Sequence, residues 1–342
     1  MISSIDPNLV QLLRGILQIS AAVVAATSLW GAVLMLRDKF SKHHNPHVME
    51  LIRRMLLLFI PALIVFLLSW WYGALYLFPL EAYAHEGIVI KPTFEAIQNG
   101  FAHGAPWVCL LMIVSTITFS FYLGECLKRH RKFEKWGGWL LLTQFILMFV
   151  IMFILMAYIV WTGLWDARQF FFTLHSLHSI LTLGTVLTVD FLYIISQHHS
   201  ELKKIVYRFF PIMSGAIWIG LGIDFLSVSL IFNEAFHVTT QLIFTQTVIG
   251  ILVLNGALLS GRINKMLKNL IHRDRVLPLS PRYKTIFGVS GAISITSWLT
   301  IYILDFVIFK FTYIQFLGIY LTAIATLFLI HHFLDETAFK KI

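Results

Sequence analysis

The chain is dominated by apolar runs that are long enough to cross a lipid bilayer. Its 342 residues contain nine runs of about 20 residues or more, the length that a spanning helix needs. They lie near residues 9–36, 52–80, 96–123, 138–163, 169–195, 206–232, 240–260, 284–308 and 311–333. Backbone polar groups in lipid must be satisfied within the protein, so such runs form helices. The sequence therefore predicts an all-α, polytopic transmembrane helical bundle.

Composition supports one integral membrane domain over residues 1–342. Apolar residues make up 58% of the chain and charged residues 13%, against about 45–50% and 25% in soluble domains. The longest connections between runs have about 15–25 residues, which is too short for a separate soluble core. No part of the chain is expected to fold as a soluble domain.

Basic residues predict the orientation of the bundle. Of the 26 Lys and Arg, 22 lie on the connections after the odd-numbered spans or in the C-terminal tail. The exceptions are Arg14, Lys91, Arg168 and Lys310. Cytoplasmic loops carry the excess of basic residues in membrane proteins. The N-terminus is therefore predicted outside and the C-terminus in the cytoplasm.

The net charge of +9 follows from these loops and does not indicate nucleic-acid binding. The densest loop, Arg262 to Lys284, has seven basic residues, and such charge meets anionic lipid. The expected partner is the lipid bilayer. The sequence also lacks a phosphate-binding Gly-rich loop, Cys-x-x-Cys and Gly-x-Ser-x-Gly. These absences argue against an ATP-driven pump, c-type haem attachment and serine hydrolysis.

A weak internal repeat relates residues 1–165 to residues 166–310, with a final helix at 311–333. In both halves, a basic His-His loop follows the first span and an arginine-led helix follows that loop. Parallel repeats of four helices explain this pattern. Convergent charge in cytoplasmic loops explains it equally well, so both explanations stay open.

Polar residues within the spans are predicted to lie in one layer in the outer half of the bundle. A helix rises about 1.5 Å per residue, so the position of a residue along its span predicts its depth. The layer contains His103, His175, His178, Asp224 and Asp305. His175 and His178 lie three residues apart, nearly on one helix face. Asp190 is predicted near the cytoplasmic headgroups, as an interfacial salt-bridge or capping residue.

Ionisable groups at such depth usually mark a site. Neutral imidazoles of His175, His178 and His103 can ligate haem iron or copper. Asp224 and Asp305 would then orient these ligands or accept protons. The same groups can relay protons in a transporter, or they can form interhelical hydrogen bonds that only stabilise the bundle.

Residues 172–232 resemble the copper-resistance D and HemJ-type membrane families. The resemblance lies in LHSLHSILTLGTVLTVDFLYI, the basic loop after it and VYRFFPIMSGAIWIGLGIDFL. It implies a bundle in the bacterial inner membrane in which His175 or His178 ligates haem b or copper.

The leading functional expectation is electron transfer or metal handling, with a redox partner or metal donor on the outer face. The alternatives are a proton-coupled secondary transporter that uses the same layer and a structural subunit of a membrane complex.

The topology can be tested with reporter tags. A tag at residue 2 and a tag after residue 342 should report opposite sides of the membrane, with the C-terminal tag in the cytoplasm, because an odd number of spans separates them. Alkaline phosphatase and green fluorescent protein fusions measure this directly. Both tags on one side would show that the predicted number of spans is wrong.

Overall fold

A computed structural model describes most of the predicted spans. The described residues are 7–41, 45, 47–72, 83–85, 88–90, 139, 142–153, 174–175, 177–196, 199–231, 239–263, 265, 281–306 and 309–333. Nearly all of them are helical, as the apolar runs predict.

The described residues form eight helices of more than ten residues. They are α1 (Pro7–Phe40), α2 (His47–Tyr72), α3 (Leu142–Phe153), α4 (Leu177–Ser196), α5 (Ser200–Ile231), α6 (Thr240–Leu258), α7 (Pro281–Phe306) and α8 (Tyr313–Phe333). Two of them have π-helical segments: Ile180–Gly184 lies within α4, and Leu259–Ile263 continues α6. Strands β1 (Tyr83–His85) and β2 (Ile88–Ile90) pair as an antiparallel hairpin, an addition to the predicted all-α class.

Seven of the described helices are long and apolar enough to cross a bilayer. They correspond to seven of the nine predicted spans, so the chain has the helices of a multi-pass integral membrane protein. Within the predicted span at 138–163, the described part is the shorter apolar helix α3. The predicted span at 96–123 lies outside the described residues. The count of nine, the orientation and the repeat stay predictions.

Contacts divide the chain into two compact units. One contains Ile16–Thr185 and Ile219–Asn233 and is called the site unit, and the other contains Met1–Gly15, Val186–Trp218 and Glu234–Ile342 and is called the C-terminal unit.

Small residues dominate the buried surface of α1 in the site unit. Ala21, Ala22, Ala25 and Ala26 are fully buried, which lets neighbouring backbones approach closely, as in other membrane helices. The hydroxyl of Thr27 donates to the carbonyl of its own helix at Val23 (2.7 Å), so this buried polar group is satisfied locally.

Large apolar side chains cover the outer surface of several helices. The most exposed examples include Leu57 on α2, Phe225 on α5, Leu254 on α6 and Ile314 on α8, with exposed fractions from 66% to 80%. Such a surface is unfavourable in water and suits lipid, where apolar contact carries no penalty.

Polar side chains join α6 to α7 and to the connection after α7 in the C-terminal unit. The Asn255 amide donates to the carbonyl of Ser290 (2.9 Å), and the Ser290 hydroxyl donates to the Asn255 side-chain oxygen. Gln241 donates to the carbonyl of Leu304 (2.6 Å) and accepts from the backbone of Phe309 (3.0 Å). The four bonds satisfy buried polar groups that lipid cannot satisfy.

Replacing Asn255 should therefore destabilise the protein. Asn255→Leu keeps the number and branching of the side-chain heavy atoms but removes both bonds to Ser290, so we expect a loss of about 1 kcal/mol. Thermal unfolding of the detergent-purified protein measures it. Leu254→Ala is the control, because Leu254 is exposed and should change stability little. Equal effects of the two substitutions would contradict a specific role for Asn255.

A candidate metal site in the membrane-spanning helices

Two imidazole rings lie side by side where α4 begins. His178 is in the first turn of α4, and His175 lies in the helical turn just before it. The spacing of three residues places them on nearly one face. Their ring centroids are 4.4 Å apart, with 47° between the ring planes. The two rings can therefore contribute to one site.

Asp224 of α5 supplies a carboxylate to the same place. Its Oδ1 lies 2.9 Å from Nδ1 of His175 and 3.5 Å from Nδ1 of His178. The three residues each offer one metal-ligating atom, and these atoms lie within 4.8 Å of one another. Two helices thus bring two nitrogen donors and one oxygen donor to a single point in the site unit.

The three side chains differ in their exposure. The side chain of His178 is 4% exposed, whereas those of His175 and Asp224 are 30% and 24% exposed. Even so, Nδ1 of His175 and Oδ1 of Asp224 are themselves shielded from solvent. His178 is therefore the buried member of the cluster, and His175 and Asp224 form its partly exposed side.

The backbone next to the histidines is irregular. The π-helical segment Ile180–Gly184 begins two residues after His178, and such segments are frequent at functional sites. The hydroxyl of Thr182 donates to the carbonyl of His178 (2.5 Å). At the end of the segment, the indole of Trp30 on α1 donates to the hydroxyl of Thr185 (2.9 Å). Side-chain hydroxyl groups thus support the irregular turn at both ends.

Nδ1 of His178 also contacts the backbone carbonyl of His175. This contact is a hydrogen bond in the tautomer that carries its proton on Nδ1, because a carbonyl oxygen only accepts. A metal ion bound at Nδ1 would replace that proton, because ligation requires the lone pair.

The residues predicted from the sequence have different outcomes. His175, His178 and Asp224 come together, and Asp224 contacts both rings, as a carboxylate that orients histidine ligands would. His103 lies outside the described residues. Asp305 is next to the last residue of α7, but its side chain is outside the described part. The roles predicted for His103 and Asp305 stay predictions.

The surroundings of the Asp190 carboxylate differ from the predicted salt bridge or helix cap. Its Oδ2 is shielded from solvent and has no hydrogen-bond partner among the described side chains and backbone. A carboxylate without such a partner is costly in a spanning helix. Depth along α4 placed Asp190 near an interface, but burial depends on neighbouring helices, which spacing along one helix does not reveal.

Comparisons with known proteins found no matching family model, no matching curated protein and no matching solved structure.

Proposed function

We propose that this integral membrane protein binds a copper ion through His175, His178 and Asp224 and acts in metal handling. The observation that carries the proposal is the convergence of three metal-ligating groups from two membrane-spanning helices within 4.8 Å. The resemblance of residues 172–232 to the copper-resistance D and HemJ-type families agrees with it.

The observed distances suit a first-row transition metal. Metal–nitrogen and metal–oxygen bonds of about 2.0–2.2 Å place neighbouring ligand atoms about 3–3.5 Å apart. Oδ1 of Asp224 is 2.9 Å from Nδ1 of His175 and 3.5 Å from Nδ1 of His178. These two separations are close to those that an ion requires, and binding would also need Nδ1 of His178 to turn from the carbonyl of His175 towards the ion.

The ligand types favour divalent copper over other ions. Imidazole suits copper, zinc, iron and nickel, whereas magnesium and calcium prefer oxygen ligands alone. The Irving–Williams order places Cu²⁺ highest among the divalent ions for nitrogen and oxygen ligands. Soft thiolate ligands select Cu⁺, so a site with a carboxylate and no thiolate favours Cu²⁺.

The geometry supports a metal ion better than a haem held by both histidines. Two axial imidazoles of one haem lie on opposite faces of the macrocycle, with the iron between them. Here the rings share one helix face, with their centroids 4.4 Å apart. A haem could use only one of the two as an axial ligand from this arrangement.

Metal handling fits the three ligands found among the described residues better than a closed structural site does. Structural sites usually supply four protein ligands, whereas sites that exchange ligands keep a position open. Three residues converge here, and two of them are partly exposed. A metal donor or acceptor that reaches the partly exposed side chains of His175 and Asp224 would have access to the ion.

Proton-coupled transport is a second candidate function. The separation of 2.9 Å between His175 and Asp224 favours it, because an imidazole and a carboxylate at this distance can exchange a proton. This function predicts proton uptake into proteoliposomes by the wild type and its loss in Asp224→Asn, without any copper requirement.

Copper titration of the detergent-purified, metal-stripped protein tests the leading proposal. We expect one Cu²⁺ per chain with nitrogen hyperfine structure in the electron paramagnetic resonance spectrum. His178→Ala should weaken binding by more than about 100-fold, which exceeds the loss caused by removing an orienting partner. Asp224→Ala should also weaken it, and His175→Ala should weaken it and shift the spectrum.

His332→Ala is the matched control, because His332 is an exposed histidine of α8 that stacks on Phe328 of its own helix. It should bind copper like the wild type. Full copper retention in the His175→Ala/His178→Ala double variant would overturn the copper proposal. A Soret band in the absorption spectrum of protein purified with its native cofactor would show that the cofactor is haem and not copper.

A further inference from the structure

Gly220 lies on the same face of α5 as Asp224. The two residues are four positions apart, so they stack about one helical turn from each other. Whatever sets the distance of α5 from α4 at Gly220 therefore also sets the position of Asp224 relative to the histidines.

The contact at Gly220 leaves no room for a side chain. A methyl group there would overlap Cγ2 of Thr182 and come within 3.0 Å of Cβ of Leu181, both on α4. Two residues along the same helix, a methyl group at Gly222 would meet nothing within 4 Å. The close approach is thus specific to the face that carries Asp224.

Thr182 connects this contact to the histidines. Its methyl group is the one that faces Gly220, while its hydroxyl donates to the backbone carbonyl of His178 at 2.5 Å. A displacement of Thr182 would therefore move the turn that presents His178. Both halves of the candidate site depend on one side chain between the two helices.

We propose that Gly220 and Thr182 are positioning residues that set the distance between Asp224 and the histidine pair, and thereby the affinity for the metal ion. Neither residue supplies a ligand atom. This inference rests on the proposed copper site, but it concerns the geometry of α4 and α5 and not the identity of the ligands.

The test compares two glycine substitutions on one helix by Cu²⁺ titration and electron paramagnetic resonance. Gly220→Ala should separate the helices and weaken Cu²⁺ binding by about 10–100-fold, the range for loss of residues that orient ligands. Its spectrum should also change, because one ligand is displaced. Gly222→Ala adds the same methyl group to the same helix and should leave affinity and spectrum unchanged.

A compensating substitution separates positioning from a general loss of folding. Thr182→Ser removes the methyl group that Ala at 220 would meet and keeps the hydroxyl that bonds to His178. The Gly220→Ala/Thr182→Ser double variant should therefore regain most of the affinity and the wild-type spectrum. The double variant carries the test where Gly220→Ala alone gives no folded protein, because relief of the overlap should restore folding as well.

Each outcome decides between the two proposals. If the wild type binds Cu²⁺ and Gly220→Ala binds it equally well, the positioning role is wrong and the copper site stands. The positioning role is also wrong if the double variant fails to fold or folds without regaining affinity. If the wild type itself binds no Cu²⁺, the proposed function fails, and the positioning role fails with it.

Discussion

Close approach of helix backbones through glycine is the constraint on which the site unit depends. Gly184 of α4 faces α1 so closely that an added methyl group would lie 2.7 Å from Cβ of Ala26, and Gly220 brings α5 against Thr182 of α4. Lipid gives helices no hydrophobic reason to associate, so packing of this kind holds them together. Because α4 carries the histidines, its two close neighbours determine what surrounds them.

The cluster of His175, His178 and Asp224 is tolerated in a membrane because its polar groups contact one another. Asp224 lies within ion-pair distance of His175 and near His178, so neither imidazole nor carboxylate faces lipid alone. Thr182 satisfies the carbonyl of His178 next to the π-helical segment. An unsatisfied polar group in hydrocarbon costs several kcal/mol, more than the roughly 0.6–2 kcal/mol that one interhelical hydrogen bond contributes.

The sequence predicts the spans and much of the cluster, but not its contacts. Apolar length alone predicts nine spans, because a bilayer imposes one length on every span, and seven of them correspond to described helices long enough to cross it. Rise per residue is equally fixed, so His175, His178 and Asp224 could be assigned to a common depth. Which helices are neighbours is not encoded in depth, so the direct contact of Asp224 with both rings and the burial of the Asp190 carboxylate needed the structure. The π-helical segment has no local signal other than glycine and threonine.

Polar residues that only stabilise helix packing differ from polar residues that bind a ligand. Asn255 and Ser290 exchange two hydrogen bonds between α6 and α7, and both are buried, as interhelical hydrogen bonding requires. The His175, His178 and Asp224 cluster instead combines three ionisable groups, of which two remain partly exposed. Helix packing alone would need fewer ionisable groups, because a neutral amide stabilises a helix pair without the free-energy cost of a charge in the membrane. The excess of ionisable groups at one open point is what distinguishes this cluster from the polar contacts elsewhere in the described chain.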